Sequence, residues 1–190
     1  MSFLSKKYEK GLSLIEASMV LALSAIVISG VMFYYQSASD SNKTQNAISE
    51  LMSTVAAING LYVGQSNYTG LTTNVLAKSS AIPDNYKNGN DINNPFGGKL
   101  QIVPVNGNKE YTIALTGIPQ SACLNIASMN LGTSFKGVVV GTVSDKTFEK
   151  VTQVGADTTY ALGTLYNLIT PAGASSICGE APNNITFLMQ

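Results

Sequence analysis

Apolar positions follow three patterns along this chain. From Ala17 to Tyr35 the text is ASMVLALSAIVISGVMFYY, nineteen residues without a charge. Wound as a helix, the run is roughly 28 Å long, close to the hydrocarbon thickness of a bilayer. After Tyr35 the pattern becomes periodic. Ala47, Ile48, Leu51, Met52, Val55, Ile58, Leu61 and Tyr62 recur at three- and four-residue steps, and Asp40, Asn42, Lys43, Gln45, Asn46, Ser49 and Glu50 fill the other positions. No proline interrupts residues 12–63, and Gly30 only loosens them. One long helix is expected there, apolar all round in its first half and one-sided in its second.

The third pattern is alternation. Residues 64–99 are rich in Gly, Asn, Ser, Thr and Tyr and read as an irregular connection lying against the domain, with a short helix over Leu71–Lys78 and turns at Ile82–Asn85 and Asn93–Gly98. Leu100–Val105 and Glu110–Thr116 predict two strands joined through Asn106-Gly107-Asn108, a hairpin signal, with Pro104 pointing to an edge. Pro119–Asn130 predicts a helix with Pro119 near its first turn, and Phe135–Val143 a strand. Lys150–Val154 is a further strand candidate, and Thr159–Leu168 has no clear pattern. Pro171–Cys178 predicts a short helix and Asn184–Gln190 a final, central strand. Together they give an antiparallel sheet packed on helices, an α+β domain over residues 64–190.

Composition narrows the function. Charged residues make up 12 % of the chain, and all eleven basic side chains are lysines. A clustered basic surface for nucleic acid is not expected. Histidine is absent and the two cysteines are far apart, which removes imidazole-dependent catalysis and most zinc sites. No Gly-rich phosphate loop, HExxH or GxSxG occurs. The expectation is a protein with no catalytic residue, no metal and no cofactor.

The head of the apolar run carries the most specific chemistry. Lys6, Lys7 and Lys10 precede Gly11, and Glu16 stands at the start of the run. Basic residues on that side keep it in the cytoplasm, so the remainder is expected to cross the membrane. A secretory signal peptide would have a shorter apolar stretch and a small-residue cleavage site after it. A plain single-pass anchor fits the length but leaves Glu16 unexplained, because a carboxylate beside an apolar span is costly. In a bundle of like helices that carboxylate needs a cationic partner. The N-terminal amine of a staggered neighbour would supply one and would set register more than stability.

The order of basic flank, Gly11-Leu12-Ser13-Leu14-Ile15-Glu16 and apolar helix resembles the prepilin signature of type IV pilins. The further text FYYQSASDSNKTQNAISELM, AINGLY, SAIPDNYK and NPFGG is similar to the type IVb class, and within it to the bundlin family. The resemblance runs well to about residue 100. It implies a type IV pilin fold, with a leader over residues 1–11, a long helix over 12–63 that spans the membrane over 17–35, and a globular domain over 64–190. It implies cleavage between Gly11 and Leu12 by a prepilin peptidase, N-methylation of Leu12, and an assembly role for Glu16. The implied function is that of a major pilus subunit, whose fibres aggregate cells and adhere to host surfaces. The implied partners are further copies of the chain in a helical homopolymer, the peptidase and the pilus assembly machinery. The implied location is the inner membrane as a single-pass precursor with a cytoplasmic N-terminus, and then the extracellular fibre. A minor pilin or secretion pseudopilin shares the processing site, and a single-pass periplasmic binding module would use the helix as an anchor only. Export puts Cys123 and Cys178 in an oxidising compartment, where a disulfide is expected. It would bound residues 123–178 and stabilise the fold by about 4 kcal/mol on a chain-entropy view.

Overall fold

In the computed structural model, residues 13–155, 158–180 and 182–190 are described, with 145 and 146 described by backbone alone. Helix α1 runs over Leu14–Leu61 as one continuous element of 48 residues. The chain divides into two units, residues 1–39 and residues 40–190, so the second half of α1 belongs to the domain.

Among the described residues the domain builds one six-stranded sheet. Its strands are β1 (Lys87–Asn88), β2 (Asp91–Asn93), β3 (Lys99–Val105), β4 (Glu110–Ile118), β5 (Phe135–Val140) and β6 (Asn183–Met189). Their order is β1-β2-β3-β4-β6-β5, and every pair is antiparallel. Helices α2 (Thr73–Ala77), α3 (Gln120–Ala127) and α4 (Pro171–Ile177) complete the domain.

One face of the second half of α1 enters the main core. Ala47, Leu51, Val55 and Ile58 join Leu100, Ile113, Leu115, Ile126, Ile185 and Phe187 in a single buried cluster. Each fully buried Leu, Ile or Phe contributes about 1.5–3 kcal/mol relative to leaving it in water. The final strand lies between β4 and β5, and its text ITFLM is apolar because both of its faces are covered. Ile185, Phe187 and Met189 face the main core, while Leu188 packs with Val139, Phe148 and Leu165 in a second cluster. Phe148 comes from a 3-10 turn over Asp145–Glu149 that the sequence pattern did not show.

The turns have local reasons. Asn106, Gly107 and Asn108 all take left-handed backbone, which Asn and Gly tolerate, so the β3–β4 hairpin closes on them. Asn94 is buried and organises the NPFGG turn. Its Oδ1 accepts from the N–H groups of Phe96 and Gly98, and its Nδ2 donates to the Thr116 carbonyl at 2.7 Å. A Cβ on Gly98 would collide with the Thr116 carbonyl, so the β2–β3 turn needs glycine there.

Two expectations change. Residues 64–99 are not irregular throughout, since Lys87–Asn88 and Asp91–Asn93 add two short strands to the sheet. Lys150–Val154 makes no strand, only an isolated bridge from Thr152 to Tyr166. Tyr166 also exchanges hydrogen bonds with Val138, so this loop covers the outer edge of β5 and protects it from strange pairing. Pro104 sits on β3 beyond the short reach of β2, which pairs only with Lys99 and Leu100, so its missing N–H costs no ladder bond.

Candidate assembly segment

The first half of α1 begins with a cap. The Ser13 N–H donates to Glu16 Oε2 at 2.9 Å, and the Glu16 N–H donates to Ser13 Oγ at 3.3 Å. This reciprocal capping box satisfies two otherwise orphan donors and places the carboxylate near the positive end of the helix dipole. The signal is the Ser-x-x-Glu text of Ser13-Leu14-Ile15-Glu16 just before an apolar run. Gly11 and Leu12, the expected processing pair, lie outside the described residues together with the expected leader.

From Leu14 onward the segment is long and apolar enough to cross a membrane, and its most apolar stretch is not buried at all. Leu14 is 89 % exposed and Phe33 76 %. Soluble proteins seldom leave so much contiguous apolar surface without a use for it. The serines inside the run do not break its character. Ser18, Ser24 and Ser29 each donate to a backbone carbonyl one turn earlier, at 2.7–2.8 Å. Each hydroxyl is thus satisfied within its own helix, which suits surroundings without water.

The domain carries the second set of expected residues. Cys123 in α3 and Cys178 just after α4 are bonded, with Cα atoms 5.9 Å apart. The bridge joins two short helices that have few residues of their own to bury, and the Gln120 side chain adds a bond to the Cys178 carbonyl at 3.0 Å. Glu110 is buried in its strand and held by Lys136 and by the Asn106 amide. The ring of Tyr68 meets that of Tyr111 edge-on at 4.7 Å. Burial, with Tyr68 adding to it, pushes the Tyr111 hydroxyl well above the usual phenol range.

Sequence reasoning missed Glu50. It was placed on the polar side of α1, yet it is buried at 3 % exposure. Burial without a charged neighbour pushes its carboxyl up to about 7. The cause is tertiary, since the segment around Pro83–Tyr86 closes over that side of the helix and forms a cleft with it. Met52 and Leu61, expected on the buried face, are about half exposed, at 48 % and 49 %. Among the described residues no three His, Cys, Asp or Glu side chains gather as a metal site would require.

A long N-terminal apolar helix whose later turns pack on an antiparallel sheet defines the type IV pilin fold. The structure is similar to TcpA, a type IV pilin from Vibrio cholerae El Tor biotype, with TM-score 0.50 over 78 % of this chain and 99 % of that one, at 19 % identity. Residues 36–184 match the Bundlin family. The chain is also 50 % identical over 193 residues to two proteins named major structural subunit of bundle-forming pilus, from Escherichia coli O111:H- and Escherichia coli O127:H6, covering 98 % of this chain and 97 % of each relative. The chain therefore belongs to the bundlin family. That family consists of structural subunits, in keeping with the expectation that the chain is not an enzyme.

Proposed function

We propose that this chain is the major structural subunit, made as a prepilin, of a type IVb pilus. The observation that carries the reading is the 50 % identity, over 98 % of the chain, to proteins named for that role. The exposed apolar half of α1 supports it physically, because that surface has no use inside a single copy. Residues 1–11 act as a leader, residues 12–63 as the polymerising helix with 17–35 in the membrane, and residues 64–190 as the outer domain. The precursor sits in the inner membrane with its N-terminus in the cytoplasm. Prepilin peptidase cuts between Gly11 and Leu12 and methylates the new Leu12 amine. The assembly machinery then moves the helix from lipid into a helical homopolymer. The finished pilus is extracellular and holds cells to one another and to host surfaces.

Glu16 directs the packing. Its Oε2 accepts from Ser13 in the capping box, and the exposed carboxylate receives the cationic amine of a neighbouring Leu12. In a bundle of helices without water, a carboxylate left unmatched costs several kcal/mol, so only staggers that satisfy it persist. Ser13 holds the carboxylate in position for that contact. The test is intact mass and N-terminal fragment analysis of protein sheared from the native cell surface. The expected species starts at Leu12 and is one methyl group heavier. Protein found only in membranes and still starting at Met1 would contradict the reading and favour a simple anchor.

A further inference from the structure

Glu50 is buried, and among the described residues neither of its carboxyl oxygens has a hydrogen-bond partner. It lines a cleft of about 290 Å³ together with Asn46, Ser49 and Ser53 of α1 and Asn85 and Tyr86 of the covering segment. No other charged side chain lines this cleft. The other charged groups on the two elements around it lie outside the cleft. Asp84 and Lys87 pair with each other at 2.8 Å, and Lys43 and Asp40 on α1 make no ion pair in the described structure. Folding alone gains nothing from such a carboxylate, since an apolar side chain in its place would avoid the desolvation cost. Burial holds the group near neutrality in the lone subunit, and the approach of a cation would ionise it.

The donors around the cleft select the kind of cation. A calcium ion takes six to eight oxygens, usually with several carboxylates, and zinc takes nitrogen or sulfur. Here there is one carboxylate, surrounded by amide and hydroxyl oxygens. That set matches a primary ammonium, which has three donors and no acceptor. The chain has no arginine, so its side-chain cations are all lysines. Lys43, Lys78, Lys109 and Lys150 are exposed and take part in none of the ion pairs found among the described residues. The rim residues Asn46, Ser49 and Asn85 are exposed, so their side chains can turn aside for an entering one.

We infer that the Glu50 cleft is a socket between subunits that receives the side-chain ammonium of a lysine from a second copy of this chain. The inference rests on the reading of the chain as a self-assembling subunit. It adds a second charged contact, in the domain, to the one made by Glu16 in the helix bundle.

The test uses native fibres assembled from a mixture of isotopically light and heavy subunits. A zero-length carboxyl-to-amine coupling reagent is applied, and the digested peptides are read by mass spectrometry. The expected product joins the Glu50 peptide of one copy to a lysine peptide of another. In parallel, Glu50→Gln, which keeps the size and removes the charge, is expected to lower sheared fibre about tenfold or more, as for loss of one buried charge pair. Its membrane-held subunit should keep wild-type abundance and an intact Cys123–Cys178 bond. Fibre at wild-type yield from Glu50→Gln, or coupling of Glu50 only within its own copy, would overturn the inference. Fibre lost on calcium chelation with Glu50 uncoupled would overturn it in favour of a metal. Failure of the unaltered chain to appear in fibres at all would instead remove the subunit reading on which the socket depends.

Discussion

Between Leu14 and Ser39, α1 buries none of its large apolar side chains, and between Asp40 and Leu61 it buries Ala47, Leu51, Val55 and Ile58. The backbone is the same helix, so the difference lies in what the side chains are for. In the later half, apolar residues are spaced to meet one sheet and polar ones fill the rest. In the earlier half they cover every side, which no single domain face requires. A helix of that kind is written for surroundings outside its own chain. The polar groups follow the same division. Ser18, Ser24 and Ser29 are satisfied by their own backbone, whereas Glu50 in the later half is left without a partner.

Substitutions can break this contrast at either end. The largest effect is expected from Glu16→Ala, which should abolish surface fibre while leaving stable subunit in the membrane, measured by shearing and fractionation. Next, replacing Cys123 and Cys178 by serine should cost the domain about 4 kcal/mol in urea unfolding of detergent-held protein, because a long loop is no longer closed. Leu51→Ala should cost about 3 kcal/mol in the same measurement, through lost burial and the cavity left behind. Leu21→Ala, the matched change in the earlier half, should leave domain stability within about 0.5 kcal/mol. Equal losses from Leu21 and Leu51 would erase the distinction between the two halves.

Smaller effects sharpen the contrast. Glu50 ionises near 7 in the folded domain and at 4.5 as a free side chain, so the folded state favours its protonated form. Its contribution to stability is full below pH 4.5, is lost as pH rises from there through 7, and stays lost above. Glu50→Gln should therefore make the lone subunit more stable at pH 8 and flatten the slope of urea midpoint against pH. The same change is expected to weaken the fibre, so subunit stability and assembly should move in opposite directions. Ser13→Ala should cost the helix end about 1 kcal/mol and reduce fibre yield less than Glu16→Ala does, as a cap that positions the carboxylate without replacing it.

Much of this was legible in the chain because the signals are local. The unbroken apolar run, the three- and four-residue spacing after Ala47, the Asn-Gly hairpin and the apolar final strand each report on their own neighbourhood. The Cys123–Cys178 bond was legible from an isolated pair in an exported chain. Glu50 was not, because its burial depends on residues 83–86 folding back over α1, about thirty-five positions later in sequence. The short strands Lys87–Asn88 and Asp91–Asn93 were missed for a related reason. They are too brief to show alternation, and they exist by pairing outward from Lys99 and Leu100. The Ser13–Glu16 box is as local a signal as the Asn-Gly hairpin, a Ser-x-x-Glu text before an apolar run.

The central claim is that the earlier half of α1 is an interface between copies. Electron cryomicroscopy of native sheared fibres tests it most directly. The expected map has residues 14–39 of every copy packed against those of its neighbours along the fibre axis, the Glu16 carboxylate beside a neighbouring Leu12 amine, and the sheets outside. A fibre held together by its domains alone, with these helices apart from one another, would contradict it.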